Sequence, residues 1–158
     1  MYRRKVLSEN LNVFAMSDIK TFCRLTDTTE DGLLRQMVEA SIKEVEAHTN
    51  NYITQKIVKI TTTGSMVELV GEVDEIESVR VDGVEVAEGG YSLTGCLLTV
   101  ECDDDSVLTI TYSTKRVDNA AVDMLIYQLV ANKFGRNSGN DVQPDWSLAN
   151  EITRIPVL

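Results

Sequence analysis

Four acids crowd one short stretch: Glu72, Asp74, Glu75 and Glu77. Two facing carboxylates can serve as general acid and general base when their surroundings push their pKa values apart. An acidic loop rarely meets that condition, and a solvated face is the simpler reading. Asp103-Asp104-Asp105 offers oxygen ligands to a divalent cation. It lacks the alternating spacing and terminal glutamate of a calcium loop, so a hydrated turn accounts for it. His48, the only histidine, falls near the end of a helical stretch, where a cation is ordinary. No Ser-His-Asp constellation forms around it. Cys23, Cys96 and Cys102 are odd in number and include no Cys-x-x-Cys. On one strand, Cys96 and Cys102 would lie ~20 Å apart. The cysteines read as reduced thiols used as small apolar fillers, without zinc-ligand spacing. No Gly-rich phosphate loop occurs. Catalytic, cofactor-binding and metal-binding residues are therefore all read as none, and no enzyme is expected.

The elements that carry these residues come from a chain of 158 residues, 43% hydrophobic and 25% charged. That balance is globular, and the length fits one domain with its own core. The longest apolar run, 124–131, is interrupted by Gln128 and falls short of the ~20 residues that span a bilayer. Arg3-Arg4-Lys5 is not followed by the apolar core of a secretory signal. A chain made in the cytoplasm, with no membrane partner, is expected. The net charge is −10, and its distribution is uneven. Residues 66–106 hold twelve acids and one base, Arg80, while the remainder is close to neutral. Such a segment repels nucleic acid and anionic membranes, which argues against groove readout of DNA.

Hydrophobic spacing divides the chain into helical and extended parts. Residues 2–16 read as extended. Ser17 or Asp18 is placed to cap a short helix reaching about Leu25. Thr28 or Thr29 is placed to cap a longer one, with Leu34, Met37, Val38, Ser41, Ile42 and Val45 at helical spacing. Thr49-Asn50-Asn51 stops it. From 55 to 114 the period changes to two, and five to seven antiparallel strands fit. Asp82-Gly83 marks a hairpin between Ser78–Val81 and Val84–Val86. Asp118 is placed to cap a last helix that is apolar on two sides and ends at Gly135. The expected fold is α+β: a small helical bundle (17–54 and 115–136) with an inserted antiparallel β module (55–114). A flexible tail, 137–158, completes a single domain, 1–158. The tail carries Trp146, Leu148, Ile152 and Ile155, and docks on its own domain or on a partner.

The order of these segments resembles the head–tail connector (adaptor, or head-completion) proteins of tailed bacteriophages, in the longer form with a β insertion. The likeness runs through Leu11–Lys20, Phe22–Asp27, Glu30–Leu34, Ala47–Asn50 and Tyr52–Gln55. It continues through Ile76–Gly83, Tyr91–Leu93, Leu108–Tyr112 and Val122–Asn137. Gly71-Glu72-Val73-Asp74 stands where the family carries a proline-rich segment, and the tail after 140 does not align. The resemblance implies a structural virion protein, present in the host cytoplasm during assembly. It would form a homo-oligomeric ring, usually twelve-fold, below the portal protein. The ring would continue the DNA channel without specific DNA binding and dock the tail or a stopper protein. Arg24, Arg136, Trp146, Ile152 and Ile155 are the candidate ring or partner contacts. Glu72, Asp74, Glu75 and Glu77 are candidate channel-facing acids. Two other readings are carried. One is an acidic binding module, such as a DNA-mimicking inhibitor of a nucleic-acid-binding protein. The other is an enzyme with a carboxylate site.

Overall fold

The computed structural model describes residues 1–26, 28–138 and 143–155, with backbone alone for 136–138. The chain forms two compact units, one from residues 1–10 and 52–117, the other from 11–51 and 118–155. Helices and antiparallel sheets make up the regular structure, so the α+β class read from the sequence is borne out.

The first unit is built of β1 (Tyr2–Glu9), β2 (Lys56–Thr63), β3 (Met66–Glu68), β4 (Val73–Val81), β5 (Val84–Glu85), β6 (Tyr91–Thr94), β7 (Leu97–Val100) and β8 (Val107–Thr114). A five-stranded sheet has the order β1-β2-β8-β4-β5 and a three-stranded sheet the order β3-β7-β6. The extended reading of 2–16 holds for Tyr2–Glu9 only, and that strand pairs with β2 as an edge of the larger sheet. β4 begins five residues earlier than the hairpin signal suggested, at Val73. Irregular register between Val73 and Glu75 and between Ile76 and Ser78 breaks the alternation that would have shown this in the sequence. The Asp82-Gly83 turn forms as expected, with φ of 51° and 83°, the left-handed pair of a tight hairpin.

β8 lies between β2 and β4 and alternates half-buried and buried along its whole length. Leu108, Ile110 and Tyr112 meet Val58, Ile60, Val67, Val79, Leu98 and Val100 in one core shared by both sheets. Two polar groups are anchored there. The Tyr112 hydroxyl donates to the Val70 carbonyl at 3.0 Å and accepts from the Val70 N–H at 3.1 Å. The Thr114 hydroxyl accepts from the Lys56 N–H at 3.0 Å and donates to the Thr54 carbonyl at 3.2 Å. Gly71, with φ of 90°, passes so close to Thr114 that a Cβ would sit 2.9 Å from its Cγ2. Only glycine meets both conditions there.

The second unit holds α1 (Met16–Cys23), α2 (Asp31–Thr49), α3 (Ala120–Ser138) and a 3-10 helix at Trp146–Ile152. α2 buries Leu34, Val38, Ser41, Ile42 and Val45 of the stripe read from the sequence, with Met37 half-buried, and ends at Asn50 with φ of 50°. The starts of the helices differ from expectation. Ala15 and Glu30 occupy the cap positions of α1 and α2, with no side-chain cap bond. At α3, Asn119 rather than Asp118 accepts from the first free amides, those of Ala121 and Val122. Gly135 does not end α3; it is buried inside the helix, which runs on to Ser138. α3 packs against α1, α2 and the 3-10 helix, which explains its two apolar sides. Tyr127 of α3 also sits 5.7 Å from the rings of both Phe14 and Phe22.

Burial pushes the Tyr112 phenol well above its ordinary value, with the Val70 backbone bond opposing in part. The neutral phenol is therefore favoured in the folded state. Its contribution is complete below the unfolded value of about 10 and is lost as pH rises beyond it toward the folded value. Tyr112→Phe leaves both Val70 backbone groups without this partner and should cost about 1–3 kcal/mol. Urea unfolding at neutral pH measures that loss. Repeated across pH 9–11, the variant should show a shallower fall in stability than the wild type.

Candidate functional site

The sequence-predicted contact residues fall in different places. Arg24 terminates α1 in the left-handed conformation, with φ of 57°, and its side chain is exposed. Its N–H donates to the Thr21 carbonyl and that of Leu25 to the Lys20 carbonyl, so the turn directs the chain away from the helix. Arg136 lies in the last turn of α3, but its side chain lies outside the described residues.

Trp146 and Ile152 are half-buried at the two ends of the 3-10 helix. Asp145 caps this helix through its Oδ1, which accepts from the Ser147 N–H at 3.1 Å and the Ser147 hydroxyl at 2.6 Å. The Trp146 ring lies 4.3 Å from that of His48 at the end of α2. The Asp145 N–H donates to Gln128 Oε1 of α3 at 2.8 Å. Asn51 Nδ2 donates to the Ile152 carbonyl at 2.9 Å, and the Arg154 N–H to the Thr49 carbonyl at 2.8 Å. The segment 143–155 is thus fastened to its own helical unit at several points. Ile155 emerges from that attachment 86% exposed.

The acids cluster differently from a catalytic pair. Glu72 precedes β4, and Asp74, Glu75 and Glu77 lie along it; all four are exposed. A groove beside β4 is lined by Asp74, Glu75, Glu77, Glu85, Glu88 and the half-buried Tyr91, among others. Asp103-Asp104-Asp105 lies in the turn before β8, closed by the Ser106 N–H bonding to the Asp103 carbonyl. No group of three or more metal-ligating side chains occurs among the described residues. Cys23, Cys96 and Cys102 are free and half-buried. Burial raises the Cys23 thiol. Desolvation, then Asp82, Asp103 and Asp104, raises that of Cys102. Both are held in the protonated form, which is a poor nucleophile.

Sequence reasoning passed over one charged surface. Arg3, Arg4 and Lys5 were weighed only as a signal-peptide flank, yet they stand on the exposed edge strand β1. The signal was available: three consecutive bases sit in an otherwise extended, β-prone run.

Residues 15–76 match the model of a family described as Phage gp6-like head-tail connector protein. No curated protein sequence matches the chain. Among solved structures, the chain resembles a chain of the virion of a native gene transfer agent particle, with TM-score 0.77 at 15% identity, over 98% of this chain and 97% of that one. It also resembles a chain from the neck of an empty particle of that kind, computed with C6 symmetry. There the TM-score is 0.73 at 14% identity, over 100% and 97%. A third likeness is to the neck of the native particle, computed with C12 symmetry. There the TM-score is 0.66 at 16% identity, over 96% and 98%. The resemblance to head–tail connectors read in the sequence is borne out, and the fold is that of these neck chains.

The attachment of 143–155 yields a direct test. Trp146→Ala removes the ring packed on His48 and should release the segment without unfolding the helices. Limited trypsin digestion followed by mass spectrometry should then show cleavage after Arg154 about tenfold faster than in the wild type, since local opening sets proteolysis.

Proposed function

We propose that this chain is a structural subunit of a ring at a phage-type head–tail joint, acting by assembly and not by catalysis. The single observation that carries this is the fold likeness to neck chains over nearly the whole length of both chains. The family match over residues 15–76 supports it independently. A ring of identical subunits requires a head-to-tail interface that closes on itself. In such a ring the portal protein lies on one side and a tail or stopper protein on the other. Arg24 and Ile155, the exposed members of the candidate contact set, are the residues offered to those partners. Trp146 and Ile152 hold the segment that presents Ile155. DNA crosses the ring without base-specific binding, because residues 66–106 carry twelve acids against one base. The protein's place is the virion, reached from the host cytoplasm during assembly. An acidic inhibitor of a nucleic-acid-binding protein gains no support from these likenesses.

Electron microscopy of particles produced without this chain tests the reading. DNA-filled or leaked heads separated from free tails are expected. Normal tailed, infectious particles would overturn it.

A further inference from the structure

The larger sheet has two edges of opposite charge. β1 is exposed at all eight positions and carries Arg3, Arg4 and Lys5. Lys5 stands directly opposite the exposed Lys59 of β2, a like-charge pair that costs stability within the subunit. At the other side, β5 pairs only with Arg80 and Val81 of β4. Among the described residues, no strand pairs with the outer edge of β4 over 73–78. That stretch opens into the groove lined by five carboxylates and no base.

Charge on an edge strand also serves to deter sheet-to-sheet pairing. That purpose is met by either sign and does not require the signs to be separated. Here β1 carries three bases and one acid, Glu9, which is taken up by Lys56 at 2.7 Å, while the groove along β4 carries five acids, so like edges repel and unlike ones attract. Strand direction agrees. β1, β2, β8 and β4 alternate, so β1 and β4 run in opposite senses. A second copy placed head-to-tail beside the first therefore brings its β1 antiparallel to β4 and continues the ladder.

We propose that the subunit boundary of the ring is formed by β1 of one copy entering the acidic groove along β4 of the next, joining their sheets. This rests on the ring reading above and assigns Asp74, Glu75 and Glu77 to that boundary, not to the channel wall. Backbone bonds supply the adhesion and the charges supply direction, so that one closed head-to-tail order is selected.

The test uses full-length chains assembled into particles. Arg3→Glu with Lys5→Glu makes both edges acidic; Glu75→Lys with Glu77→Lys makes both basic. All four residues are exposed, and unchanged thermal melting of each purified variant confirms the fold. Each pair alone should lower the number of joined, ring-bearing particles by about tenfold or more, and the four changes together should restore it. In a second measurement, oxidation of particles carrying Lys5→Cys and Glu75→Cys should give a ladder of covalent multimers that the wild type does not give. Joints that survive the single reversals with only DNA release altered would overturn the proposal and leave the ring reading standing. Failure of the fourfold variant to recover, with no cross-linked ladder, would overturn it as well. Absence of any ring in wild-type particles would overturn both readings together.

Discussion

One-sided burial along β8 is the constraint on which the β unit depends. Because its side chains alternate strictly, a slip of one residue would send Leu108, Ile110, Tyr112 and Thr114 to the wrong face. Both neighbours in the sheet are registered against it, β2 through Ile60 opposite Ile110 and β4 through Val79 opposite the same residue. The second sheet is held to the first through Leu98, Val100 and Val67 in the shared core. Tyr112 and Thr114 add direction to what would otherwise be apolar adhesion. Each bonds backbone of a connecting segment, at Val70 and at Thr54, so the loops are fixed by the same strand that fixes the sheet.

The helical unit is organised around a different device. α3 contacts α1, α2 and the 3-10 helix, which bury Val122, Leu125, Ile126, Leu129 and Val130, while Met124 stays exposed. The 3-10 segment completes those contacts: Trp146 lies on His48, and the Ile152 carbonyl is held by Asn51. An apolar tail was one of the more suggestive features for partner binding, and the packing accounts for most of it. Among the described residues of that tail, Ile155 is the large apolar side chain that stays exposed.

Legibility in the sequence followed the strength of local signals. The α2 stripe, the Asp82-Gly83 turn and the run of short strands were read correctly, since each rests on a strong periodic or conformational preference. The start of β4 was hidden, because two irregular steps within it destroy the alternation. The caps were misplaced because α1 and α2 start without a side-chain cap, at Ala15 and Glu30, so the polar residues nearby mark no boundary. Asn119 prevails over Asp118 only through its bonds to Ala121 and Val122. Gly135 misled because a buried glycine and a terminating glycine look alike in sequence. The strand pairing of residues 2–9 was out of reach, since its partner β2 lies beyond two helices. The connector resemblance was legible in the order of segments, while the surfaces that would join copies were not. Edge charge gains meaning only when the strand order is known.

That separation of β1 from β2 has a bearing on how the protein is made. Neither unit is a continuous stretch of chain: residues 11–51 interrupt the first and 52–117 the second. On the ribosome, β1, α1 and α2 emerge before any strand partner exists for the first or any α3 for the others. All strands of the β unit are out once residue 117 is made, whereas the helical unit must wait for α3 and the 3-10 segment behind it. Nascent α1 and α2 therefore expose apolar faces throughout synthesis of the sheets, the interval in which such a chain is most open to chaperones and misassembly.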